Sequence, residues 1–178
     1  LEQVTARAAE LDLGHRIEPL HYDGLDLPLG DDSVDYAISF EVLEHVADEG
    51  LALRELARVI RPGGRLVMSV PNRWWIFETH GANLPLLPWN RVPLVSWWPR
   101  KLHDRYARAR IYEKCEIEEK ISALGFELLA SQYLTAPMDV VKWRPLQKSL
   151  RRLVFRNDST RLPVLATEIM VVARKMTS

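Results

Sequence analysis

Three side chains able to handle a proton or a metal ion stand together in the run Phe40-Glu41-Val42-Leu43-Glu44-His45. Residues three and four apart share a face of a helical turn, so Glu41, Glu44 and His45 can converge on one point. Carboxylate oxygens beside an imidazole suit a hard divalent ion, Mg²⁺ or Mn²⁺. An imidazole also changes charge near neutral pH, which makes His45 the leading candidate for a general base. A second imidazole, His80, follows in Phe77-Glu78-Thr79-His80-Gly81 and offers itself as the alternative base. His15, His21 and His103 read as surface or loop residues with no chemistry assigned. A different chemistry is available in Asp23-Gly24-Leu25-Asp26-Leu27-Pro28. There a carboxylate can accept from an exocyclic amine, and Gly24 lets the backbone approach a flat ring. An Asp-Gly pair is equally an ordinary turn.

The elements that must position these groups follow from apolar spacing. Val34 to Phe40 is a short apolar run suited to a strand buried on both faces. Leu53, Leu56, Ala57 and Ile60 recur at helical spacing, which predicts a helix over Asp48 to Ile60. Pro62, Gly63 and Gly64 stop it. Arg65 to Val70 is a second apolar run, and strand, helix and returning strand make a right-handed parallel crossover. Upstream, Leu1, Val4, Ala8 and Leu11 predict an amphipathic helix ended by Gly14. Arg16 to Tyr22 reads as a strand, with Pro19 awkward inside it because proline cannot donate to a ladder. Downstream, Ile111 to Leu124 is helical and closed by Gly125, Phe126 to Tyr133 is a strand, and Leu165 to Arg174 is the last strand. The loops after Tyr22 and after Phe40 then fall at carboxyl ends of strands, where open α/β sheets take their ligands.

The ordered set Asp-Leu-Pro, Val-Asp before an apolar strand, Leu-Glu-His-Val, a helix, Arg-Pro-Gly-Gly, an apolar strand and Pro-Asn resembles class I S-adenosylmethionine-dependent methyltransferases. Within them it is similar to the type 11 branch, which includes ubiquinone-biosynthesis methyltransferases. The likeness is close from Leu1 to Asn72 and weaker over Ile111 to Tyr133 and Ala166 to Lys175. It implies an α/β fold: a mostly parallel, doubly wound, Rossmann-like sheet with an antiparallel last strand. It also implies that a first strand, a glycine-rich turn, a helix and a second strand precede Leu1, so the chain reads as an N-terminally truncated domain over residues 1–178. By the same resemblance, Asp23 accepts from the adenine amino group, the backbone of Gly24 and Leu25 meets the ring edge, and Phe40 contacts the methionine end of the cofactor. Glu-x-x-Glu-His spacing occurs in ubiquinone-pathway O-methyltransferases and in small-RNA 2′-O-methyltransferases, where it implies a metal held here by Glu41, Glu44, His45 and His80. Leu-Glu-His-Val is also frequent in the branch with no metal, where Glu and His orient the loop, and both alternatives stay open.

Two stretches lie outside this pattern. Residues 73–110 hold five of the six tryptophans and four prolines, and read as an insertion of short helices packed over the mouth of the domain. Aromatic walls there suit an apolar or planar acceptor. Residues 137–163 form a second insertion, basic and amphipathic, with Lys142, Arg144, Lys148, Arg151, Arg152, Arg156 and Arg161 around Trp143, Leu146, Leu150, Leu153, Val154 and Phe155. It reads as a solvated helix face or as a peripheral contact with an anionic membrane. Lys plus Arg and Asp plus Glu balance at 24 each, which leaves no net field to gather nucleic acid. No apolar run approaches the about 18 residues of a membrane-spanning helix. The one cysteine, Cys115, cannot form a disulfide within the chain and suits a reducing, cytoplasmic setting. The expected activity is methyl transfer from S-adenosylmethionine to a small or lipid-like acceptor, on oxygen. A non-catalytic module of the same fold and an RNA 2′-O-methyltransferase are the alternatives.

Overall fold

The computed structural model describes residues 1–22, 26–78, 80–84, 87–89, 92–136, 143–153 and 155–177. Its main sheet has five strands in the order β1-β2-β9-β7-β8. These are β1 (Val34–Phe40), β2 (Ile60–Pro71), β7 (Phe126–Thr135), β8 (Ser159–Thr160) and β9 (Ala166–Lys175). β1 runs parallel to β2, with Ala37 opposite Leu66 and Phe40 opposite Ser69. β9 pairs antiparallel with both β2 and β7, so β1, β2 and β7 share one direction and the last strand opposes them. Helix α1 (Glu2–Glu10) precedes the sheet, α2 (Glu49–Val59) connects β1 to β2, α4 (Lys114–Ala123) precedes β7, and α5 (Arg144–Leu153) lies between β7 and β8.

α2 forms where the apolar spacing expects it. Asp48 caps it by accepting from the Leu51 N–H at 2.9 Å, which satisfies one of the donors a helix start leaves unpaired. No loop separates α2 from β2. Ile60 already pairs with Val34, and the register then shifts so that Tyr36 meets Arg65. The intervening residues 61–64 are thrown out of the ladder, as expected where Pro62 has no N–H to give. Gly63 takes φ +79°, and a Cβ on Gly64 would stand 2.8 Å from the carbonyl oxygens of both Arg61 and Asp35. Only glycine fits that approach.

The core lies between β2, β9 and the helices α2 and α4. Leu53, Ile60, Met68, Ile117, Ile121 and Ile169 are among its buried members. Each such side chain contributes about 1.5–3 kcal/mol by leaving water.

The structure differs from the sequence expectations in several elements. Residues 16–22 form no strand; a 3₁₀ turn covers Gly14–Arg16 and the chain continues irregularly to Tyr22. A strand needs a partner ladder, and Pro19 weakens whatever ladder this segment could offer. β1 is not buried on both faces: Tyr36, Ile38 and Phe40 share one face and are 64%, 67% and 51% exposed. It is an edge strand among the described residues, so only its Ala37 and Ser39 side faces inward. In α1 only Ala8 is buried, and Leu1, Val4 and Leu11 remain exposed. His103 is fully buried rather than on the surface, with its Nδ1 3.1 Å from Asp104.

The tryptophan-rich stretch is built from short pieces, as its prolines require. β3 (Phe77–Glu78) pairs with β6 (Val92–Pro93), β4 (Ala82–Leu84) pairs with β5 (Leu87–Trp89), and α3 (Arg100–Tyr106) follows a 3₁₀ turn at Val95–Trp97. Ala82, Val95 and Trp98 make a small separate core. The stretch returns to the sheet where Tyr112 N–H donates to Pro71 O and Arg110 N–H donates to Glu44 O. No described helix is long and apolar enough to cross a membrane.

Candidate functional site

The run after β1 is a turn and not the first turn of a helix. Glu41 takes φ +51°, a left-handed conformation that is costly for a glutamate. Its N–H still reaches Ser69 O at 3.2 Å, and the His45 N–H closes a turn on Val42 O at 3.0 Å. Arg110 holds this turn from outside: its guanidinium donates to Val46 O at 2.5 Å and to Ala47 O at 2.8 Å. Tyr112 donates its hydroxyl to Glu49 at 2.8 Å, and Lys120 also pairs with Glu49. The turn is therefore fixed at the carboxyl end of β1 by Arg110, where the insertion ends, and by Tyr112 and Lys120 just after it.

Into this turn the insertion delivers His80. Its Nε2 lies 3.6 Å from a Glu41 carboxylate oxygen and 3.7 Å from Glu44 Oε1. His45 Nε2 lies 3.6 Å from the same Glu44 oxygen, and the two imidazole rings meet edge to face at 4.9 Å. One ligand atom from each of Glu44, His45 and His80 falls within 4.8 Å of the others. Glu41 touches this trio through His80 but is not part of the mutual set. Both Glu44 carboxylate oxygens are buried and, among the described residues, accept no hydrogen bond. Burial raises the Glu44 pKa above the usual carboxylate range. Glu41 is pushed up to about 8, first by burial and then by the charges of Glu168 and Glu44, against a Ser69 hydroxyl that donates to it at 3.4 Å. Glu168 reaches this end of the sheet because it pairs with Pro71 on one side and Leu134 on the other.

This arrangement suits a cation. A buried carboxylate with no donor is costly, and the nearby carboxylates of Glu41 and Glu168 raise that cost, unless a protonated imidazole, a proton on the carboxyl or a metal compensates. Donors about 2.1 Å from a shared ion in octahedral geometry stand about 3 Å apart, somewhat closer than the spacing found here. Beside the trio opens a cleft of about 370 Å³, lined by Glu44, His45, Asp104, Arg108 and Arg110 among others. Its walls are polar, and no described tryptophan lines it.

Of the cofactor residues read from sequence, Asp23, Gly24 and Leu25 lie outside the described residues. The chain just after them is firmly held. Glu55 accepts from the Leu27 N–H at 3.0 Å, and Arg58 binds Glu55, the Leu27 and Leu29 carbonyls and Asp31. Arg58 and the Leu27 N–H hold the Glu55 pKa down at about 2. Phe40 sits at the end of β1 with its ring half exposed. A small apolar cleft of about 170 Å³ opens between Tyr22, Leu27, Ile38, Val42, Leu43 and Leu56, without Phe40 among its lining residues. Sequence reasoning missed Arg110 and Glu168. Arg110 carries no local signal, whereas Glu168 is the one acid in the apolar run of β9 and could have been singled out on that ground.

Comparison with known proteins agrees with this architecture. The family described as methyltransferase domain matches residues 1–68. A probable S-adenosylmethionine-dependent methyltransferase of Mycolicibacterium smegmatis is 40% identical over 113 residues, covering 64% of this chain and 36% of that protein. A ubiquinone biosynthesis O-methyltransferase of Azorhizobium caulinodans is 28% identical over 127 residues, covering 70% of this chain and 46% of that protein. The solved structure of the [4+2]-cyclase SpnF superimposes with a TM-score of 0.58 at 20% identity, over 98% of this chain and 61% of the other, and shows the fold alone. Residues 1–68 match that family in sequence, and the Rossmann-like fold is shared with a solved S-adenosylmethionine-dependent methyltransferase structure that covers 93% of this chain. The match spans about a third of the mycobacterial relative's length and under half of the ubiquinone enzyme's.

Proposed function

We propose that the protein carrying this chain transfers a methyl group from S-adenosylmethionine to a hydroxyl oxygen of a small or lipid-like acceptor. The observation that carries the proposal is the meeting of Glu44, His45 and His80 at the carboxyl end of β1, with Glu41 beside them. In methyl transfer the acceptor O–H loses its proton, the oxygen bonds to the methyl carbon, and the C–S electron pair stays on sulfur. His45, 48% exposed at its side chain and in contact with Glu44, is the base that takes the proton. Glu44 stabilises the imidazolium that forms, and His80 is the alternative base. The adenine is held by Asp23 and the backbone of Gly24 and Leu25, and Phe40 packs at the methionine end. The apolar cleft lined by Tyr22 and by the pinned Leu27, the described residues on either side of Asp23 to Leu25 in the sequence, supports the adenine placement. As the alternative to proton uptake by His45, Glu41, Glu44, His45 and His80 would hold Mg²⁺ or Mn²⁺, and an ion so placed would supply a lowered pKa for an acceptor hydroxyl. The lone Glu44 carboxylate supports the ion reading.

The test is product analysis. Methyl-labelled S-adenosylmethionine is incubated with the protein carrying this chain and with phenolic and long-chain hydroxyl acceptors. Label recovered as an O-methyl ether is the expected result. Label found only on nitrogen or carbon, or no transfer to any acceptor while cofactor is bound, overturns the proposal.

A further inference from the structure

Among the described residues, α5 is only lightly engaged with the rest of the molecule. It makes no extensive contact with any other named helix or strand. Every residue of it whose side chain is described is exposed except Gln147, which is half-buried. Its sequence divides cleanly. Trp143, Leu146, Leu150 and Leu153 recur three and four residues apart and belong to one helical stripe, while Arg144, Lys148, Arg151 and Arg152 belong to another. The apolar stripe is not turned inward: Trp143 is 67% exposed, Leu146 42% and Leu153 79%. No Asp or Glu occurs from Trp143 to Asn157, in a chain whose charges otherwise balance. A helix held in place by the body would bury this stripe, and a helix meant only for solvent would not carry it. Exposed Trp and Leu along one stripe, with Lys and Arg along the other and no acid, match a helix lying in the headgroup region of a membrane. The basic residues then supply an attraction that a neutral surface would not give.

The location adds a reason. Arg151 and Phe155 share a small cleft with Leu134, Ala136, Thr167 and Glu168, at the end of the sheet where Glu168 acts on Glu41. A bilayer under α5 would therefore lie near the mouth of the candidate site.

We propose that α5 docks this protein onto an anionic lipid bilayer, with Trp143, Leu146 and Leu153 inserted at the interface and Arg144, Lys148, Arg151 and Arg152 among the headgroups. This deepens the lipid-like side of the acceptor reading, but its test needs neither cofactor nor turnover, so the two can fail separately. The protein is sedimented with phosphatidylcholine vesicles and with vesicles containing about 30% phosphatidylglycerol, at about 0.1 M salt. Three forms are compared: the parent, Leu146→Glu with Leu153→Glu, and Arg151→Glu with Arg152→Glu. All four side chains are exposed, and unchanged thermal unfolding confirms that the variants are folded. The parent should partition onto the anionic vesicles at least about tenfold more strongly than onto the neutral ones, and each double variant should lose about tenfold or more. Equal partitioning of the parent onto both vesicles overturns the proposal. So does full retention of binding by the Leu146→Glu, Leu153→Glu form, because a purely electrostatic patch would serve a nucleic acid as well.

Discussion

At the scale of single residues, Glu44 is the most informative side chain. Its carboxylate is buried, accepts no hydrogen bond among the described residues, and touches two imidazoles. A group in that position is tolerated either protonated or beside a cation. If a cation is the answer, Mn²⁺ followed by electron paramagnetic resonance should bind the parent in a defined site. Glu44→Gln should weaken that binding at least about tenfold, since the ligating charge is removed while the shape is kept. Equal Mn²⁺ binding by parent and variant would remove the metal and leave Glu44 as the partner of His45. The carboxylate–imidazole spacing was legible in the sequence, but the reason for it was not. Glu41, Glu44 and His45 were expected to share a helical face, whereas the backbone turns at Glu41 with φ +51° and His80 completes the group from the insertion. Spacing in a chain reports neighbours on a regular element; it does not report a turn held by a distant arginine, here Arg110.

At the scale of elements, the strand–helix–strand unit explains how the site is positioned and where it can be broken. Gly64 stands where β2 leaves α2, with two carbonyl oxygens 2.8 Å from the place a Cβ would take. Gly64→Ala should destabilise the protein by about 1–3 kcal/mol, the usual cost of forcing atoms into packed space, read as a lowered thermal midpoint. A change within error would mean that the Arg61 turn yields freely. Glu55 ties α2 to the loop after Tyr22 through Arg58 and the Leu27 N–H. Its pKa in the folded state, about 2, lies below the unfolded value of 4.5, so its stabilising contribution is present above pH 4.5 and is lost as pH falls toward 2. Glu55→Gln should therefore cost about 1–2 kcal/mol near neutral pH, and the gap to the parent should close through that acid window. A gap independent of pH would assign the loss to packing. The order of these elements was readable because each carries its own apolar period and its own stop, Gly125 after α4 being one example. The expected strand at Arg16 to Tyr22 was not, because a strand depends on a neighbour that local sequence does not name.

At the scale of the whole molecule, burial is what the sequence misjudged. Val34 to Phe40 has the composition of a central strand, yet in this chain it is an edge with Tyr36, Ile38 and Phe40 exposed. Leu1, Val4 and Leu11 of α1 are likewise open. An apolar run records what an element can pack against, and the structure alone records what is there. The same difference separates His103, buried at 0% exposure, from the surface residue its polar neighbourhood suggested. The fold superimposes on a solved methyltransferase structure with a TM-score of 0.54, and fold-level likeness of this kind also embraces a cyclase. Chemistry is therefore a matter of the site and not of the fold.

The claim at the centre of the account is that His45, held by Glu44 at the end of β1, takes the acceptor's proton. The direct measurement is single-turnover methyl transfer by the protein carrying this chain and by its His45→Ala variant, with the affinity for S-adenosylmethionine determined on both. The account predicts a rate lowered by about 10²–10⁴ with cofactor affinity changed by less than about threefold, because the imidazole acts on the acceptor and not on the cofactor. A variant that transfers methyl at the parent's rate would contradict it.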